Sequence, residues 1–192
     1  MSIKIGISNN KEINEKYFNF LVIFSDISSI NNWSKIKLTK KVILNENIST
    51  KCSVIKDTIN LSPDFDIKYP YASEEYLIDN KKISLIYINS QFYIDGCNDL
   101  IKRQNIMLEN ELNKENTYYI IFSNHNITHP LLNSLLHLLK NSNLKVLYIC
   151  NSYESIQHIN QINILSMNKI KKTSNDTILI EIDNYNINYY II

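Results

Sequence analysis

Two glycines in 192 residues, Gly6 and Gly96, remove several chemistries at once. A GxxxxGK[ST] phosphate loop and a GxGxxG dinucleotide turn both need backbone that approaches a ligand without a Cβ, and neither can be written here. No GxSxG nucleophile elbow occurs either. Arginine is nearly absent: of 20 basic residues only Arg103 carries a guanidinium, and the net charge is +1. Bidentate phosphate or base readout and bulk attraction of nucleic acid are therefore not expected. Cys52, Cys97 and Cys150 form no CxxC pair. Their odd number favours free thiols in a reducing compartment, with one disulfide and a spare cysteine as the alternative. No apolar run reaches the ~18 residues of a membrane span, and the opening MSIKIGISNNKE has no signal-peptide pattern. The expectation is a cytoplasmic protein (host cytoplasm, if the source is viral or parasitic) with neither a membrane nor a nucleic-acid partner.

What is present is skewed. The chain has 35 isoleucines and 29 asparagines against one alanine, Ala72. That excess is the signature of an AT-rich genome, and it makes asparagine a background residue rather than a functional signal. At 44% apolar and 20% charged, the composition is that of a globular chain, most simply one domain over 1–192.

β-branched and aromatic runs predict strands at Ile3–Ser8, Phe20–Phe24, Lys41–Leu44, Ile83–Ile88, Thr117–Phe122, Leu144–Ile149, Ile162–Ser166, Ile178–Ile182 and Asn186–Ile191. FLVIF, YYIIF and KVLYI are continuous rather than alternating, which predicts burial on both faces. DLIKRQNIMLENELNK has the three-to-four spacing of a helix, with Asp99 as its expected N-cap, and HPLLNSLLHLLKNSN opens a second helix at Pro130. A third, weaker helix is expected through ESIQHINQ, 154–161. Segment 45–82, with Pro63 and Pro70, reads as an irregular excursion carrying short strands. The last residues read as a hairpin turning near Asp183–Tyr185. The fold class that follows is α/β: a layered sandwich with a mixed central β-sheet and a C-terminal β-hairpin.

Chemistry in open α/β sheets gathers at the carboxyl ends of strands. Those ends read GISNNK, FSDIS, ILNEN, FSNHN, YICNSYE and LSMN. Their order and spacing resemble the calcineurin-like metallophosphoesterases, whose strand tips carry SDxH, GD, GNH(D/E), an HxP-type histidine and GHxH. The centre of the chain adds to the likeness: a strand ending Ile88-Asn89-Ser90 resembles the family's Leu-Asp-Ser-like triplet. A helix of the type Q-x-x-W/M-L-x-x-x-L follows, then the strand into the histidine motif. The resemblance covers nearly the whole chain and implies two metal ions, Mn or Fe/Zn, that activate water and clamp a phosphate.

Carried across residue by residue, the ligands are mostly gone. SDxH becomes Ser8-Asn9-Asn10-Lys11, so Asn9 and Lys11 replace a carboxylate and an imidazole. GD becomes Ser25-Asp26 and keeps the aspartate. GNH(D/E) falls on Asn45-Glu46-Asn47 or one residue later. The HxP histidine falls on Asn124, with His125 one place off, and GHxH becomes Cys150-Asn151-Ser152-Tyr153. A residual metal site would have Asp26, Glu46 and His125 as its ligands. His129, His137 and His158 read as loop, cap and helix residues, and Cys150 as a buried thiol at a strand end. The expected function is a non-catalytic phosphoesterase-like domain that binds a protein partner or self-associates, since Tyr and Ile crowd the final strand. The alternative is a divergent metal-dependent phosphodiesterase or phosphatase with a reduced site.

Overall fold

The computed structural model describes residues 2–8, 15–25, 37–44, 52, 65–68, 70–78, 80–115, 118–140, 144–152, 157–159, 161–167, 177–183 and 186–192. In chain order their strands are β1 (Ile3–Ser8), β2 (Phe20–Ser25), β3 (Lys40–Leu44), β4 (Phe65–Ile67), β5 (Ala72–Ile78) and β6 (Lys81–Tyr87). There follow β7 (Tyr118–Ser123), β8 (Val146–Cys150), β9 (Gln157–Ile159), β10 (Ile162–Ser166), β11 (Ile178–Ile182) and β12 (Ile187–Ile191). The helices are α1 (Gln91–Ile94), α2 (Asn98–Leu112) and α3 (Asn133–Lys140), the last preceded by a 3-10 turn at Pro130–Leu132.

The strands form two six-stranded mixed sheets, ordered β12-β11-β1-β2-β3-β4 and β5-β6-β7-β8-β10-β9. In the first, β1 to β4 are parallel and β11 and β12 close one edge antiparallel. In the second, β6, β7, β8 and β10 are parallel, flanked by antiparallel β5 and β9. The inner faces share one core: Ile5, Ile7, Phe20, Val22 and Phe24 meet Leu85, Tyr87, Ile120, Phe122, Leu147 and Ile149. The other face of the second sheet, with Tyr119, Ile121, Val146 and Tyr148, is covered by Leu108 and Leu112 of α2 and Leu135 and Leu139 of α3. Alternate residues of β2 pack inward or against Phe18 and Leu179 on the opposite side. This two-sided burial is why the central strands have no polar alternation. Gly6 points away from the shared core: a Cβ there would lie 2.5 Å from Leu21 Cδ2 and 2.8 Å from Phe18 Cδ1.

The α/β class and the C-terminal hairpin match the sequence expectation, and four details do not. The sequence predicts one central sheet and two are formed, because periodicity tells a strand which faces it buries and not which strands it joins. The helix expected through 154–161 is replaced, at Gln157–Ile159, by β9, whose pairing with β10 overrides its weak local preference. Helix α2 begins at Asn98 with Cys97 as its N-cap, so Asp99 lies in the first turn, near the positive end of the helix dipole. Cys52 and Cys97 form a disulfide, the alternative to three free thiols, beside Gly96, whose φ of +69° turns the chain between α1 and α2.

Candidate functional site: the strand tips of the second sheet

Four parallel strands place their carboxyl ends on one rim of the second sheet: Ile88-Asn89-Ser90, Ser123-Asn124-His125-Asn126, Cys150-Asn151 and Ser166-Met167. The ladder runs past the strand ends and keeps these tips in register. Ile88 N–H donates to Phe122 O at 3.0 Å, and Asn151 N–H donates to Ser123 O at 3.3 Å. Because Ser123 pairs with Cys150, Asn124 and Asn151 follow at adjacent tips.

Ser90 ties two tips together. Its fully buried Oγ accepts the backbone N–H of His125 at 3.0 Å and lies 2.7 Å from His125 Nδ1. The Ser90 hydroxyl can donate to Nδ1 or accept from it, and in either case it fixes the orientation of the ring. The Tyr148 hydroxyl donates to His125 O at 3.0 Å, and burial raises its pKa, keeping it a neutral donor. His129 Nδ1 accepts Leu131 N–H at 3.3 Å and caps the turn opened by Pro130, with its ring 6.0 Å from that of His125. Both imidazoles therefore use Nδ1 within the fold. Asn126 Oδ1 accepts Thr128 N–H at 3.1 Å, while Asn126 Nδ2 and Asn151 Oδ1, both buried, have no hydrogen-bond partner among the described residues.

Gln104 braces the first tip. It is fully buried on the apolar side of α2, where Oε1 accepts Asn89 N–H at 2.8 Å and Nε2 approaches Asn89 O at 3.5 Å. Asn89 Oδ1 in turn accepts Gln91 N–H at 3.1 Å and starts α1. Neither Ser90 nor Gln104 stood out as a site residue in the sequence. The signal available for Gln104 was a polar residue at a core position of an amphipathic helix.

Of the residues singled out in the sequence, the fold brings Asn124, His125 and Asn151 together. Asn9, Lys11, Asp26, Asn45, Glu46, Asn47 and Tyr153 lie outside the described residues. Among the described residues no group of three His, Cys, Asp or Glu side chains is placed to hold a metal. Cys150 is fully buried, with Sγ 3.5 Å from Ser166 Oγ. A dinuclear centre needs several carboxylates and imidazoles to neutralise two cations. The described tips contribute two neutral amides and one imidazole toward such a set.

Among the described residues the most concentrated charge lies elsewhere, between the sheets at the β4–β5 side, and sequence reasoning missed it. Lys41 Nζ is 2.7 Å from Glu74 Oε1 and 3.3 Å from Asp66 Oδ2, and Lys68 Nζ is 2.8 Å and 2.6 Å from the same two atoms. The fully buried Tyr87 donates to Glu74 Oε2 at 3.1 Å. Burial alone would raise both carboxyl pKa values, but the hydrogen bonds and charges of Lys41 and Lys68 outweigh it and hold Glu74 and Asp66 below their ordinary range. With two cations and two anions in mutual contact, this is a clamp joining the sheets. No family model, curated protein or solved structure matches the chain.

Proposed function

We propose that the chain is a non-catalytic domain of the calcineurin-like phosphoesterase type that acts by contact, as a protein-interaction or assembly subunit. The observation that carries this reading is the chemistry of the described tips. Where the resemblance puts metal-binding histidines there are neutral amides, Asn124 and Asn151. Face-to-face mixed sheets with helices on the outer face of the second support the scaffold, as does the bond from Asn89 N–H to Gln104 Oε1, which joins the strand and helix that the resemblance pairs. A retained core with most of its metal donors replaced suits binding, because binding uses the surface of a fold and catalysis uses its loops.

The test is hydrolysis of bis-p-nitrophenyl phosphate and of cyclic nucleotides in Mn²⁺, run beside Asp26→Asn, with melting curves taken with and without chelator. No turnover and no chelator shift are expected. Turnover that collapses in Asp26→Asn, or a melt lowered by chelator, overturns the reading and restores Asp26, Glu46 and His125 as ligands.

A further inference from the structure

Among the described residues, the four sheet edges are not protected alike. Strands β4 and β9 have only three residues each, and β5 carries Glu74 and Glu75. Short strands and charges blunt an edge against pairing with another chain. Strand β12 has neither device. It is five residues long, Ile187-Asn188-Tyr189-Tyr190-Ile191, without charge or proline, and Tyr189, Tyr190 and Ile191 are 44%, 46% and 39% exposed.

Its outward hydrogen-bonding groups follow from the hairpin register. Thr177 and Ile192 exchange both backbone bonds at 2.9 Å, and Asp183 N–H donates to Asn186 O at 3.1 Å. Antiparallel pairs alternate, so the even-numbered residues of β12 bond to β11, and Ile187, Tyr189 and Ile191 direct N–H and C=O to an edge that no described strand covers. Their side chains share the inner face, since their partners Ile178, Ile180 and Ile182 belong to the inter-sheet core. On that face a cleft of about 700 Å³ opens between the sheets, bordered by Tyr118, Lys145, Leu147, His158, Ile187 and Tyr189. The edges of β12 and β9 therefore lie on the same side of the sandwich.

Resting on the contact reading above, we propose that the occupant of this edge is a second copy of the chain. Two β12 strands pair antiparallel about a two-fold axis at Tyr189, making one sheet continuous across two molecules. The strand is self-complementary in this register: Tyr189 faces Tyr189 of the other copy and Ile187 faces its Ile191, so the three outward residues of each chain meet donor to acceptor. The paired side chains are uncharged and each chain carries a net charge of only +1, so neither contact nor long-range repulsion opposes the pairing. Tyr189 and Ile191 of the second copy fall on the inner face beside the cleft, extending the buried surface beyond the strand itself.

Sedimentation of the full chain at micromolar concentrations is expected to give a mass of two chains. Tyr189→Pro removes an N–H that points to the open edge and no bond to β11, so it is expected to abolish the dimer while leaving the melting curve of the monomer in place. Tyr189→Cys places two thiols in a hydrogen-bonded cross-strand pair, at a Cα separation of roughly 5.5 Å that suits a disulfide. It is expected to cross-link at least tenfold faster than Tyr190→Cys, whose side chain lies on the other face and out of register. A monomeric wild type, a dimer that survives Tyr189→Pro, or equal cross-linking at the two positions overturns the proposal. A monomer would leave the contact reading standing, whereas a dimer that also hydrolyses phosphodiesters would remove that reading and support the pairing.

Discussion

Replacing Glu74 by glutamine takes one negative charge out of the clamp between the sheets and leaves its shape. The carboxylate accepts from Lys41 at 2.7 Å, Lys68 at 2.8 Å and Tyr87 at 3.1 Å. Glutamine keeps an oxygen for part of this set but turns an N–H₂ toward the rest, and both lysine side chains are only 8% exposed. Hydrogen bonds to charged groups contribute about 1.5–3 kcal/mol each, and stripping one partner from a fully buried pair costs about 3–5 kcal/mol. Two features reduce that figure. The Glu74 side chain is 22% exposed, so water reaches it, and Asp66 stays within 3.3 Å of both lysines. The expected loss is about 2–3 kcal/mol, read in urea unfolding as a midpoint lowered by roughly 1 M at unchanged slope. The pH dependence supplies an independent check. Glu74 and Asp66 have folded pKa values below their ordinary 4.5 and 3.8, so their stabilisation is complete above those values and is lost as pH falls through the lower folded ones. Wild type should therefore lose stability more steeply in acid than Glu74→Gln. A variant within ~0.5 kcal/mol of wild type at neutral pH, or parallel acid limbs, would refute the clamp.

Gly6→Ala should lower stability by about 1–3 kcal/mol, because its Cβ meets Leu21 and Phe18 within 3 Å; an unchanged melting temperature would show that Phe18 can move aside. Gln104→Leu should cost about 1–3 kcal/mol by leaving Asn89 N–H buried without an acceptor, with faster hydrogen exchange at that amide as the local readout. Cys52→Ser opens a link across 45 residues, for which chain entropy predicts a loss of up to ~4 kcal/mol; urea curves that do not respond to reductant would count against it.

Much of the architecture was legible in local pattern. FLVIF, YYIIF and KVLYI announced strands buried on both faces, and each alternates between the inter-sheet core and an opposite apolar layer. The hairpin was legible for the same reason: alternating strands on either side of the polar residues near Asp183–Tyr185 are a short-range signal. The spacing of α2 likewise disclosed its buried side, and with it Gln104 among leucines.

Contact between distant residues was not legible, because periodicity fixes which face a side chain occupies and says nothing of what covers it. Lys41, Asp66, Lys68 and Glu74 are scattered charges in the sequence, and they become a clamp only when β3 and β4 of one sheet meet β5 of the other. Ser90 and His125 are 35 residues apart, and parallel pairing of β6 with β7 sets their side chains at 2.7 Å. Strand β9 is the sharpest case: polar Gln157 and His158 do not suggest a strand, and the unsatisfied edge of β10 recruits them as one. The sequence determined what each segment could bury; burial between segments decided which polar groups would find each other.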